Sequence, residues 1–326
     1  MHRFEQTIGI QLDRIYTAVA ADKDASWRRL MTYARYEQVA YATQICSGGI
    51  PSMNRLCFKD EASAEPQCFR EVVLDIQGIL VGFSLPPVQV RQEIPRNPLF
   101  ARQNVVISSL GLEQFKLFED AIRHIDQKFE RTVKAGEYEP YTMMETDGHP
   151  SISLSNRYFT KAHLAQHAIP IAFPANVDPK GHLKRAGGSA YVHLADNVVE
   201  YHRKERTVVN NELVDDFQPI DPAGFRIGQL VEAQVTFAMI PTTATKRKLL
   251  VTLRSLAILA NERKLTPTLS PIKLQLSSRA LKRRVGYGND DDEKDTRRAR
   301  MALANLFISE DGEHNDEDRE NGMAVE

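Results

Sequence analysis

Six residues raise the question of metal chemistry: His163, His167, His182, His193, Asp196 and His202. Iron oxygenases on β scaffolds hold their ion with two histidines and one carboxylate on a common face, leaving positions open. The tightest unit in this chain is His193-Leu-Ala-Asp196. A separation of three puts two side chains on opposite faces of a continuous strand, so only a turn at Asp196 would bring them together. His163 and His167 have the i, i+4 spacing of two ligands on one helix face. The residue after His163 is Leu164, however, where a zinc protease carries its general-base glutamate. Solvated or hydrogen-bonded histidines are therefore the expectation, and no cofactor is expected. His193, Asp196, His163 and His167 remain the candidate ligands of the alternative reading, a metal-dependent enzyme on a β scaffold.

Other chemistries find less support. No Gly-x-Ser-x-Gly elbow occurs. Cys46, Cys57 and Cys68 are spaced with ten residues between neighbours, whereas zinc ribbons need close pairs. Gly48-Gly49 and Gly187-Gly188 lack the lysine of a phosphate-binding loop and the rest of a dinucleotide fingerprint, and read as turns. Asp215 and Asp216 sit in a stretch where two solvated acids are the ordinary expectation. No catalytic residue is assigned.

The clearest pattern is segregated charge. Residues 273–300 hold nine Lys or Arg against five Asp or Glu, and residues 301–326 hold eight acids against one Arg. Lys282, Arg283 and Arg284 lie in line with Tyr287 nearby, and are the candidate binding residues: a nuclear import address or a phosphate-contacting arm. A solvated linker has the same composition. The whole chain carries a net charge of -1, which excludes a globally basic nucleic-acid binder but no local patch. No run of about 18 apolar residues marks a membrane span. Glu5, Asp13 and Arg14 interrupt the stretch that a signal peptide would need, and three cysteines suit a reducing compartment. An intracellular location, nucleus or cytoplasm, is expected.

The elements that would position these residues divide at about residue 150. Residues 1–140 read as mainly helical. Phe4, Ile8, Leu12, Ile15 and Val19 follow a helix period, and WRRLMTYARYEQVAYATQI lacks Gly and Pro. Leu112, Phe115, Phe118, Ile122, Ile125, Phe129 and Val133 make one stripe. FREVVLDIQGILVGF fits a helix or a strand, with helix favoured. Residues 150–260 change character to short extended runs: ISLSNRYF, HAIPIAF, AYVHL, NVVEY, QLVEAQVTFAM and KLLVTLRSLAIL. A hairpin is predicted about Ala195, Asp196 and Asn197. Val231, Ala233, Val235, Phe237 and Met239 share one face, predicted as buried, and Glu232, Gln234, Thr236 and Ala238 the other, predicted as wet. Residues 261–326 read as a charged, largely disordered tail. The predicted fold is α+β: a helical N-terminal part with an antiparallel β barrel or sandwich.

From YFTKAHLAQHAIPIAFPANVDPKGHLKR through YVHLADNVVEYHRK to FRIGQLVEAQVTFAMI and LLVTLRSLAIL, the chain resembles a large uncharacterised protein family of mushroom-forming (basidiomycete) fungi. The N-V-D-P-K-G phrase at Asn176–Gly181 and the D-N-V-V-E-Y run at Asp196–Tyr201 are its most distinctive parts. The resemblance implies a layout of elements and brings no activity, ligand or catalytic residue. The functional expectation is a non-catalytic binding or interaction protein whose partner is another protein or a nucleic acid, with no membrane contact.

Overall fold

The structure, a computed structural model, describes residues 2–21, 25–59, 69–209, 212–259 and 281–282. The chain opens with helix α1 (His2–Ala21), two 3-10 turns (Ser26–Arg28 and Leu30–Tyr33) and helix α2 (Tyr36–Ala42). Strands β1 (Thr43–Gly48), β2 (Met53–Phe58), β3 (Phe69–Arg70), β4 (Leu74–Ser84) and β5 (Arg102–Ser108) precede helix α3 (Phe115–Glu130). Then come β6 (Tyr138–Glu139), β7 (Met144–Thr146), β8 (His149–Arg157), β9 (Thr160–Lys161), helix α4 (His182–Gly187) and β10 (Tyr191–Val192). Strands β11 (Glu200–Val209), β12 (Glu212–Pro219), β13 (Leu230–Pro241), β14 (Arg247–Leu259) and β15 (Leu281–Lys282) complete the order. Among the described residues, no helix is long and apolar enough to cross a membrane.

Five strands close into a barrel, in the order β13, β4, β5, β8, β14 and back to β13. Its pairings are antiparallel except at the seam between β8 and β14, which is parallel and meets at a single register, Thr252 opposite Ser155. The β1–β2 hairpin extends the sheet from β13, where Ala238 faces Arg55. On the other side, β11 runs parallel to β14 and carries β12. The fold is thus mixed α+β built around a barrel.

The barrel closes because alternate residues on each strand are apolar and share one interior. Val105 and Ile107 of β5, Ile152 and Leu154 of β8, Val235 and Phe237 of β13, and Val251 and Leu253 of β14 are all buried in one cluster. The predicted stripe of α3 packs into that same cluster through Phe115, Phe118, Ile122, Ile125 and Phe129. Leu12 and Tyr16 of α1, four residues apart, do likewise, and the Tyr16 hydroxyl donates to the Gln77 carbonyl. A smaller cluster of Val88, Ile94, Ala101, Tyr158, Phe159, Val177 and Leu183 forms where the β4–β5 connection meets residues 158–192. The N-V-D-P-K-G phrase has a structural part there: the Asp178 carboxylate accepts from the Lys184 amide and ties the phrase to α4.

Several elements differ from their sequence expectations. Residues 1–140 are helical only in part, since β1, β2, β4 and β5 also lie within them and join the sheet. FREVVLDIQGILVGF forms β3 and β4; β4 is nearly continuous in apolar residues because it is covered on both faces. Gly78 within it is required by contact, as an added Cβ would lie 2.3 Å from the Ile107 side chain. The expected second helix is shorter, because Thr43 and Ile45 leave α2 to pair with β2. The hairpin predicted at Ala195–Asn197 is a 3-10 turn, and β10 pairs with β9 instead of β11.

The β13–β14 pair settles as a core wall. Val235 lies opposite Leu253, Phe237 opposite Val251 and Met239 opposite Leu249. The face predicted as wet is also largely covered: Gln234, Thr236 and Ala238 are fully buried. Replacing the enclosed Phe237 by alanine should destabilise the fold by about 3 to 5 kcal/mol, the range for a buried aromatic truncated to a cavity. Denaturant unfolding of Phe237→Ala checks this, and a midpoint equal to wild type would contradict the assignment.

Candidate functional site

What covers the outer face of β13 and β14 is a buried ion network. Arg55, on β2, points from the register of Ala238 into the space outside the barrel wall. Its Nη1 donates to Glu71 Oε1 at 2.8 Å and its Nη2 to Asp196 Oδ2 at 2.6 Å. Arg254, on β14, reaches the same place: Nε donates to Thr236 Oγ1 at 3.0 Å, Nη1 to the Asp196 carbonyl at 2.6 Å, and Nη2 lies 3.7 Å from Glu71 Oε1. The side chains of Arg55, Glu71 and Arg254 are 1%, 0% and 2% exposed, and that of Asp196 is 18%. Burial pulls the Arg55 guanidinium towards neutrality, but Asp196 and Glu71 more than reverse this and hold its pKa above the usual value.

The turn Ala195–Asn197 is pinned over the barrel seam. The Asn156 amide of β8 donates to the Asp196 carbonyl at 3.0 Å, and Gln103 of β5 donates to the Asn197 carbonyl at 3.1 Å. The Asn197 side-chain oxygen accepts from the Leu194 amide and the Thr160 hydroxyl. One short turn is thereby fastened to β2, β5, β8 and β14. It stands where β8 and β14 share only one register pair.

Beside this turn lies a cavity of about 60 Å³, lined by Met53, Arg55, Arg102, Ser155, Asn156, Arg157, Asp196, Ile240, Leu250, Thr252 and Arg254. Arg102 and Arg157 face each other across β5 and β8 as direct register partners. Like charges directly opposite on neighbouring strands oppose the pairing. Arg55 and Arg254 share the carboxylates of Glu71 and Asp196, but no ion pair within 4 Å joins Arg102 or Arg157 to an acid among the described residues. Among the described residues, Arg102 donates to the Ser155 hydroxyl at 3.5 Å. Both groups are half-buried, and desolvation pulls both below the usual arginine range; at Arg157 the field of Asp196 opposes this, while Arg55 and Arg102 add to it. The result is a local surplus of positive charge on rigid strands, walled on one side by Met53, Ile240 and Leu250. Such a site can bind an oxyanion through charge-assisted hydrogen bonds.

The residues singled out by sequence have different fates. His193 and Asp196 do not converge. The Asp196 carboxylate is engaged by Arg55, whereas His193 is buried, with Nδ1 2.8 Å from the Tyr158 carbonyl and its ring stacked on Phe173. Burial holds the His193 pKa below the usual histidine value. His163 lies in a single 3-10 turn, Ala162–Leu164, so it shares no helix face with His167, and both are exposed. His182 opens α4 beside Arg185, and His202, pushed down to about 4 by burial, lies 3.3 Å from the Ser255 hydroxyl. Among the described residues, no group of three or more His, Cys, Asp or Glu side chains is placed to hold a metal ion. Cys46 and Cys57 are buried thiols, and burial pushes both upward in pKa. Of the basic run, Lys282 pairs through its backbone with Arg70, and Arg283 and Arg284 lie outside the described residues, as do Cys68 and the rest of the tail.

Arg102 and Arg157 were missed by the sequence reading, although a period-two signal marks one of them. Ser153, Ser155 and Arg157 alternate with the buried Ile152, Leu154 and Asn156, so Arg157 is the last residue of the outward face of β8.

The sequence matches no protein-family model, and no curated protein matches it. Among solved structures, a similar one is the crystal structure of gp2.5, a single-stranded DNA binding protein encoded by bacteriophage T7. The likeness covers 63% of this chain and 100% of that chain, at 9% identity and a TM-score of 0.30.

The buried network gives a stability test. Removing one partner of a buried ion pair leaves the other charge uncompensated, which costs about 3 to 5 kcal/mol. Glu71→Leu should therefore lose about that much in denaturant unfolding. The double variant Arg55→Met with Glu71→Leu should recover only part of the loss, because Asp196 then lacks the Arg55 guanidinium and Arg254 lacks Glu71. Equal stability of Glu71→Leu and wild type would show that the network is not a structural constraint.

Proposed function

We propose that this chain is a non-catalytic binding protein, and that its occupant is a single strand of nucleic acid lying across the outer face of β5, β8 and β14. The observation that carries this reading is the pair Arg102 and Arg157, opposite each other on a half-exposed barrel face and joined to no acid within 4 Å among the described residues. Closed five-stranded barrels of the oligonucleotide-binding type use the face of their second and third strands, flanked by two loops. In this barrel those strands are β5 and β8. The β4–β5 connection borders the face at the Arg102 end, and the turn between β13 and β14, which carries the exposed Lys246, borders the opposite end. Fold alone does not imply function, so the arginines carry the argument and the barrel explains only how they are held. Met53, Ile240 and Leu250 line the cavity beside the arginines, so an elongated ligand laid across the face would meet both charge and apolar surface.

Fluorescence anisotropy with a labelled single-stranded oligonucleotide tests the proposal. Affinity should fall as salt rises, with a log–log slope of about -0.7 for each phosphate neutralised on a single strand. Replacing both arginines, Arg102→Gln with Arg157→Gln, should flatten that slope by about 0.7 for each phosphate contact removed. Absence of salt-dependent binding at low ionic strength, or an unchanged slope in the double variant, would overturn the reading.

A further inference from the structure

We infer that the cavity between Arg102 and Arg157 is a discrete phosphate site that grips one phosphate group between the two guanidinium forks. This rests on the reading of the barrel face as a surface for phosphate-bearing ligands and specifies what its centre recognises. Four arginines line the cavity, but they are not equivalent. Asp196 and Glu71 neutralise Arg55 and Arg254 within the wall. Arg102 and Arg157 keep their charge for whatever enters, because they are paired with each other across the strands and with no acid among the described residues.

Charge selects the ligand group. Each water needs roughly 10 to 15 Å³ of space for its centre, so the cavity's 60 Å³ holds a handful of waters, enough for a small tetrahedral anion. The Ser155 and Thr252 hydroxyls, register partners across the seam, offer further donors at its floor. The apolar flank of Met53, Ile240 and Leu250 lowers the local dielectric and strengthens each contact. Arginine suits such a site better than lysine, since its planar fork matches two oxygens at once.

The inference also explains why the arrangement is tolerated. Two half-buried cations facing each other disfavour the empty state. An anion between them turns a repulsive pair into two attractive ones.

The test uses the full chain and inorganic phosphate, at constant ionic strength held with chloride. The thermal midpoint should rise with phosphate as mass action requires for a ligand that binds the folded state. Calorimetric titration should give at least a tenfold weaker phosphate affinity for Arg102→Gln and for Arg157→Gln. Without phosphate, neither variant should melt below wild type, because each removes one of two repelling charges. Arg157→Lys keeps the charge but loses the fork, and should bind phosphate at an intermediate affinity. A phosphate response no larger than that of chloride, or one unchanged in the variants, overturns the site.

Competition separates the sources of the phosphate. Oligothymidylates with and without a 5′-phosphate should both displace inorganic phosphate if the site takes backbone groups, and only the phosphorylated one if it takes a terminus; either result supports the site. Phosphate binding that the variants abolish but that no oligonucleotide displaces would keep the site and overturn the strand reading. Strand binding with no phosphate response would do the reverse.

Discussion

Burying an arginine completely is costly unless an anion lies beside it, and Arg55 is buried almost completely. Removing such an ion from water costs several kcal/mol, and only close, well-oriented acids restore it. Glu71, which precedes β4, and Asp196, from a turn far along the chain, are therefore both required at one point outside the barrel wall. Meeting that requirement fixes the β1–β2 hairpin against β13 and holds the 195–197 turn over the β8–β14 seam. It also explains Gly49 at the hairpin tip, which has a φ of +82° and where a Cβ would lie 2.7 Å from the Arg55 guanidinium. Any other residue would be strained by the backbone and would displace the ion pair.

The parts of this fold that depend on local period were legible in the sequence. The apolar stripe of α3 and the β13–β14 pair follow directly from spacing, since a face that must be buried repeats every 3.6 or every 2 residues. Elements buried on both sides were harder. The strand β4 carries a run of apolar residues that a helix could also carry, and only its pairing with β13 and β5 decides the matter. The inner wall of β13 was expected, but its outer wall was misjudged, because Gln234 and Thr236 look like solvent-facing residues until the arginine network that covers them is known.

That network was not legible for a related reason. Arg55 meets Asp196 across 141 positions of sequence and Glu71 across 16. Neither distance leaves a periodic trace, and charged residues within strands read as exposed by default. Asp196 was singled out, but for chemistry it does not perform here: its carboxylate is a structural counter-ion, and its neighbour His193 is an interior residue. The residues that define the candidate site, Arg102 and Arg157, stand at the first position of one strand and the last of its partner. They become conspicuous only when register places them face to face.

The two arginines are binding charge held on paired strands. Lys282, Arg283 and Arg284 are followed within a few residues by Asp290, Asp291, Asp292 and Glu293, and exposed charges separated by more than about 8 Å are largely screened at physiological ionic strength. Those acids compete with any phosphate for the cations of the run. Arg102 and Arg157 instead are half-buried on paired strands, where charges are screened less than on an open surface. With a net charge of -1, the chain has little overall field to draw a polyanion from a distance. Recognition of a phosphate-bearing ligand would then depend on short-range fit, and at the barrel face the sheet holds two cations that no acid within 4 Å pairs among the described residues.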